Sequence, residues 1–340
     1  MGWTTDRKAR ALAGDTTSSD PFDGCFEVPV AGGALNVPYA GPPPDEAEAV
    51  VLAVHGVSAS HMAWRTVARQ LAGRTGTCLI APDLRGRGRS AALPRPYGLV
   101  THLNDLTVAL DHLGVDRAVM AGHSMGAHVA ARLSAEQPHR AAALVLIDGG
   151  LPRAAPIKAS ETEADDETPG RLERPCKSPD EYLADWRMHP AFERAWDDDV
   201  EAYARYDMAD DGSSAHCVVC QEAVMADGFD FVFDGVTRGA VTSVRAPIRL
   251  LRAPRGPLDD DCPVIPRAYL DAFAADHPYV DVENVPDTNH YTLILGSSPG
   301  PARVAAAIEA AIRGAEDSWA GALHAAADGR RRVSSRRPQV

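Results

Sequence analysis

Apolar positions along the chain fall into short unbroken runs, separated by stretches in which they recur every third or fourth residue. Ala49–Val54 is one such run, the pattern of a strand buried on both faces of a parallel sheet. Thr77–Ala81, Arg117–Ala121, Ala142–Ile147, Ile248–Leu251 and Tyr279–Val285 predict further strands. Between them, Met62–Leu71, Val100–Leu113, Ser124–Glu136, Arg267–Asp276 and Pro301–Ile312 have helical spacing. Cys25–Val30 and Ala34–Tyr39 flank Gly32-Gly33 and predict a β-hairpin. Strands alternating with helices predict an α/β fold: a doubly wound, mostly parallel sheet with helices on both faces.

The alternation stops over residues 151–240, which are acidic and carry prolines and aromatics. Helical spacing is confined there to the neighbourhoods of Asp180–Arg187 and Phe192–Tyr206. Because the alternation resumes afterwards, 151–240 reads as an insertion into one domain built from 25–150 and 241–315. Residues 1–24, charged and then rich in Ser, Thr and Gly, predict a flexible or loosely docked arm. Residues 321–340 carry Arg330, Arg331, Arg332, Arg336 and Arg337 and predict a basic, solvated tail.

Composition narrows the partners. A net charge of -13 argues against nucleic acid and anionic membrane, both of which need Lys/Arg patches. No apolar run approaches the ~20 residues that cross a bilayer. The first twenty residues lack the apolar core of a secretory signal, and Asp6 stands where myristoylation needs Ser or Thr. The expectation is a cytoplasmic protein acting on a small molecule, with oligomeric state open. The scattered cysteines, Cys25, Cys78, Cys176, Cys217, Cys220 and Cys262, are expected to be free thiols. Cys217 and Cys220 form a CxxC, but only His216 is adjacent, two ligands short of a zinc site. With no metal cluster and no Gly-rich phosphate loop after a strand, no cofactor is expected.

The candidate chemistry sits at the ends of the predicted strands. Gly122-His123-Ser124-Met125-Gly126 lies between a strand and a helix, the context in which G-x-S-x-G makes a nucleophile elbow. The plain alternative for Ser124 is a glycine-flanked helix cap. His55-Gly56-Val57-Ser58 follows the strand Ala49–Val54, where the fold needs a second N–H donor for an oxyanion. The two donors would be the backbone N–H groups of Val57 and Met125. His55, Ser58, Ser60, His61 and Trp64 are candidates for the mouth of the same site, with His123 packing or lining it. His290, in Asp287-Thr288-Asn289-His290, follows a strand and is the candidate general base. The acid that orients it is ambiguous. Asp148 ends the strand after the nucleophile helix and is favoured, with Asp259 or Asp260 in the loop after Ile248–Leu251 as alternatives.

Together, His55-Gly56, Asp83-Leu84-Arg85-Gly86-Arg87-Gly88 with Ser90, the elbow, and Asn289-His290 resemble the α/β-hydrolase superfamily, over roughly residues 25–315. The likeness is to its serine esterase and lactonase branch. The resemblance implies that Asp83 and the arginines brace loops near the site. It also implies that 151–240 is a cap over Ser124, with Trp186, Phe192, Trp196, Tyr203 and Tyr206 shared between the cap's own core and the substrate pocket. A serine at the elbow argues against the dehalogenases and epoxide hydrolases of the superfamily, which use aspartate there. The expected reaction is hydrolysis of a small, apolar carboxylic ester or lactone through an acyl-serine. C–C bond hydrolysis, acyl transfer and non-catalytic ligand binding on the same fold stay open.

Overall fold

The computed structural model describes residues 20–74, 76–152, 172 and 176–316. Eight strands form one sheet: β1 (Gly24–Val30), β2 (Gly33–Ala40), β3 (Ala49–Val54), β4 (Thr77–Ile80), β5 (Ala118–His123), β6 (Ala141–Ile147), β9 (Ile248–Arg252) and β10 (Val280–Asn284). Their order is β1-β2-β4-β3-β5-β6-β9-β10. The β1–β2 and β2–β4 pairs are antiparallel and the rest parallel. β7 (Met208–Asp210) and β8 (Ala215–Cys217) form a separate two-stranded sheet.

The unbroken apolar runs follow from burial on both sides. Val51 and Ala53 of β3 join one apolar layer with Val119, Ala121, Val145 and Ile147, while Leu52 and Val54 join the other with Met120, Leu144 and Leu146. Helix α1 (Arg65–Leu71) and the last helix, α9 (300–316), cover the first layer through Val67, Leu71, Val304, Ile308 and Ile312. Helices α2 (Leu99–His112), α3 (Met125–Glu136) and α8 (Arg267–Asp276) cover the second through Leu103, Leu106, Leu110, Val129, Leu133, Leu270 and Phe273.

The connection from β6 to β9 carries α4 (Pro179–Arg187), α5 (Asp198–Tyr206), α6 (Gln221–Phe233) and α7 (Gly235–Gly239). Its first part packs over α1 and the turn before it, and α6 and α7 lie against α2 and α3. Three expectations need correction. The helix expected from Met62 is a 3-10 turn, His61–Trp64, running into α1. The helix expected from Phe192 is broken, because Asp197 caps α5 by accepting from the Asp199 and Val200 N–H groups at 3.0 and 2.9 Å. Of the N-terminal arm, residues 20–23 are docked: Phe22 is buried against the His61 ring at 4.8 Å and Asp20 pairs with Arg65 at 3.0 Å. Residues 1–19 and the tail 321–340 lie outside the described residues. All six cysteines lie among the described residues, and none is in a disulfide.

Candidate active site

β3 is central: β4 lies on one side of it and β5 on the other, so the winding reverses between β3 and β5. Carboxyl ends of strands at such a reversal form the crevice where open α/β sheets bind ligands. Ser124 follows β5 at this point with φ 54° and ψ -121°, backbone angles that a side chain rarely tolerates. The turn is held by absent side chains. A Cβ on Gly122 would lie 2.2 Å from the Gly126 carbonyl oxygen, and one on Gly126 would lie 2.1 Å from that of Val54. Gly149 presses from the next strand end, its absent Cβ 2.4 Å from the Ser124 carbonyl oxygen. The Ser124 N–H donates to Ile147 O at 2.9 Å. Ser124 is half-buried and heads α3, whose free N–H groups favour negative charge.

His290 enters from the loop between β10 and α9, and its Nδ1 lies 2.8 Å from Asp148 Oδ2. Asp148 is fully buried and also accepts from the Ala253 N–H at 3.3 Å. A carboxylate there fixes the imidazole's tautomer and leaves Nε2 as the working nitrogen. Asp259 and Asp260 are occupied elsewhere. Asp259 Oδ1 takes the Arg255 Nε–H at 2.9 Å and the Asn289 side-chain amide at 3.2 Å, and Asp260 accepts from the Cys262 N–H at 3.1 Å. They shape a loop; Asp148 touches the histidine.

His123 stands beside His290 with ring centroids 4.5 Å apart, and its Nε2 donates to the His290 carbonyl at 2.9 Å. Burial, and then the neighbouring His290, hold the His123 pKa well below the ordinary value, so this ring is neutral. It fixes the backbone that carries His290.

The loop after β3 is anchored peptide by peptide. His55 is fully buried, and its Nδ1 donates to Gly56 O at 2.7 Å while Nε2 accepts from the Leu84 N–H at 2.9 Å. Burial lowers its pKa to about 3, in keeping with one donating and one accepting nitrogen. Gly56 O also accepts from the Ala59 N–H at 3.3 Å. In a trans peptide N–H and C=O point in opposite directions, so the Val57 N–H faces away from both anchors. Gly56 itself lies against the elbow: a Cβ there would be 3.4 Å from Ser124 Cβ. His55 thus braces the loop and does not line a pocket.

Other candidates are displaced too. Trp64 is fully buried in the layer over α1, and Ser58 is nearly so. His61 Nδ1 lies 2.9 Å from Asp83 Oδ1, and its ring packs edge-on against Tyr206 at 4.6 Å. Asp83 also accepts from Asn36 Nδ2 at 2.8 Å and the Tyr206 hydroxyl at 2.5 Å. Burial pushes the Asp83 carboxyl up, but the His61 ring and N–H and the Tyr206 hydroxyl outweigh it and hold the carboxyl well below the usual range. Arg85 makes a two-pronged pair with Asp105 at 2.9 and 3.0 Å. The Asp83–Ser90 loop is therefore a buried brace. Trp186 packs with Phe192 and Tyr203 at 5.9 and 5.3 Å, inside the β6–β9 connection's own core. Trp196 is half-buried under the Arg187 guanidinium at 5.4 Å.

Sequence reasoning missed Asn289 as a hub. Its side-chain carbonyl accepts from the Tyr291 and Thr292 N–H groups at 3.0 and 2.9 Å, and its amide donates to Ala191 O at 2.8 Å. The turn that presents His290 is thereby tied to the β6–β9 connection. Tyr291 continues this contact, with Phe192 at 5.6 Å and the His290 ring at 5.7 Å. The only signal was adjacency to His290. Among the described residues, no cluster of three or more His, Cys, Asp or Glu is arranged to hold a metal, and no helix is long and apolar enough to cross a membrane.

Known proteins share this architecture. A family model described as the alpha/beta hydrolase fold matches residues 49–182. Lipase LipV of Mycobacterium tuberculosis is 38% identical over 98 residues, 29% of this chain and 36% of the lipase. The chain spans only about a third of the length of the curated relatives it matches. In structure it is similar to an E-2-(acetamidomethylene)succinate hydrolase, with TM-score 0.66 and 18% identity over 84% of this chain and 96% of that one. It is likewise similar to a thioesterase domain from the curacin biosynthetic pathway, with TM-score 0.64 and 20% identity over 84% and 98%. With the mostly parallel eight-stranded sheet and the strand–Ser124–helix elbow, these likenesses show that the chain has the α/β-hydrolase fold.

Proposed function

We propose that the protein is a serine hydrolase that cleaves a small carboxylic ester or lactone through an acyl-serine. The observation that carries this reading is the buried His290–Asp148 hydrogen bond of 2.8 Å at the same sheet edge as Ser124. His290 Nε2 takes the proton of the Ser124 hydroxyl as its oxygen attacks the carbonyl carbon. The Val57 and Met125 N–H groups receive the oxyanion. The alcohol leaves with the proton from His290; water then attacks the acyl-serine, giving its proton to His290, and the acid departs as Ser124 is reprotonated. The β6–β9 connection serves as the cap, and Tyr291, half-buried beside His290, favours an apolar group on the substrate. Similarity to a lipase supports an ester as the substrate class.

The test is labelling by a fluorophosphonate probe and turnover of p-nitrophenyl acetate and butyrate, in the wild type beside Ser124→Ala. Both signals are expected in the wild type and absent from the variant. Labelling that survives Ser124→Ala overturns the assignment of the nucleophile.

A further inference from the structure

Helix α6 starts against the Asp83–Ser90 loop, where the Cys220 N–H donates to Gly86 O at 2.8 Å, and it is linked to the loop after β3 through the Arg87 side chain. Arg87 is fully buried, and its guanidinium divides among three partners. Nε donates to Val57 O at 2.9 Å, Nη1 donates to Arg85 O at 2.8 Å, and Nη2 pairs with Asp227 Oδ2 of α6 at 2.5 Å. Asp227 is also fully buried; it accepts from the Gly98 N–H at 3.0 Å and faces His102 Nε2 at 2.9 Å. We propose that Asp227 is a positioning residue for the oxyanion hole, acting through Arg87 on the Val57–Ser58 peptide.

The argument is geometric and rests on the serine-hydrolase reading. Val57 sits between two peptide planes. The Gly56–Val57 plane is fixed by His55 and Ala59, and the Val57–Ser58 plane by Arg87, which donates to its carbonyl. With both planes held, the Val57 N–H cannot rotate away from the crevice. A buried guanidinium is stable in this place only with a counter-charge, and Asp227 supplies it. Burial pushes the Asp227 carboxyl up, but His102 and Arg87 outweigh it and keep the group ionised. Without that charge Arg87 is drawn to other acceptors or to water, and the Val57 carbonyl is released. Donors held in advance are what an oxyanion hole requires.

The experiment compares Asp227→Asn with Asp230→Asn. Asp230 is on the same helix but caps α2 instead, accepting from the Leu99 N–H at 2.9 Å. Asp227→Asn should lower kcat on p-nitrophenyl butyrate by about 10- to 100-fold with KM within about twofold. Its affinity for a trifluoromethyl ketone, which forms a tetrahedral oxyanion on Ser124, should weaken in parallel with kcat/KM. Asp230→Asn should lose stability without either kinetic change. The double variant Arg87→Gln/Asp227→Asn buries no lone charge, and it should be no slower than Arg87→Gln alone. If Asp227→Asn fails to fold, that double-variant comparison decides. A normal kcat and inhibitor affinity in Asp227→Asn, equal kinetic losses in Asp230→Asn, or additive losses in the double variant would each overturn the proposal. Failure of the serine-hydrolase reading is separately visible, since the wild type would then resist the fluorophosphonate.

Discussion

On the proposed reading, Asp148 orients His290 from inside the protein. It is fully buried, with the Ala253 N–H on one oxygen and His290 on the other. Replacing it with Asn keeps the volume but inverts the hydrogen-bond roles, so the ring is held in the wrong tautomer. Asp148→Asn is expected to lower kcat on p-nitrophenyl butyrate by about 10³- to 10⁴-fold. Asp259→Asn, which loosens a loop and weakens one of several Asn289 hydrogen bonds, should cost less than about 10-fold; the reverse ranking would move the acid to Asp259. His55 gives a second consequence. Its pKa is about 3 when folded against 6.5 unfolded, so between those values the unfolded chain binds a proton that the folded one refuses. Stability is therefore complete above pH 6.5 and falls as pH drops from there toward 3, by up to about 1.4 kcal/mol per pH unit. His123, also depressed, adds a loss of the same sign. Urea titrations at pH 7, 6 and 5 should show this fall, and His55→Asn should flatten it; an equal slope in the variant would exclude His55 as a source.

Single residues were legible in sequence where chain order determines position. Ser124 and His290 follow strands, and the strand ends share an edge. Asp148 against Asp259 is a question of distance, not order, and in the fold it is Asp148 that lies 2.8 Å from His290 Nδ1. His55 was read as lining because its partner, the Leu84 N–H, comes from another strand's exit loop.

At the scale of elements, the central strands were legible because burial on both faces leaves them no polar positions. The β6–β9 connection was less so. Gln221–Phe233 is a helix that its pattern conceals, since Met225, Phe229 and Phe233 are exposed while Asp227 is buried. A buried acid and exposed aromatics invert the usual signal, and the ion pair with Arg87 accounts for the buried acid. The same elements separate two kinds of helical glycine. Gly126, in the first turn of α3, touches β3, and Gly126→Ala should cost about 3 kcal/mol or more through steric overlap with Val54 O. Gly228 on α6 has nothing within 4 Å of where a Cβ would stand. Gly228→Ala should stabilise the protein by roughly 0.5–1 kcal/mol by removing backbone freedom from the unfolded chain. Chemical denaturation of both variants checks the pair; equal effects would remove the distinction.

At the scale of the molecule, the β6–β9 connection is fastened by buried polar contacts. Asp199 of α5 takes Arg65 at 2.7 Å and Arg69 at 3.0 Å, Tyr206 takes Asp83 at 2.5 Å, and Asp227 takes Arg87 at 2.5 Å. The sheet's β10 edge is charged: Arg249 pairs with Asp281 and Glu283 at 3.0 and 2.6 Å, which discourages another strand from adding there. The sheet itself joins two blocks of sequence, for β9 must return to β6 after the whole connection has been made. That connectivity sets a schedule. Asp148 precedes His290 by 142 residues, which a ribosome adds in roughly 7–30 s at ordinary elongation speeds. On the proposed assignment, the nascent chain carries its nucleophile and its acid throughout that interval but not its base. The means to cut bonds would then arrive only with β10, the loop after it and α9.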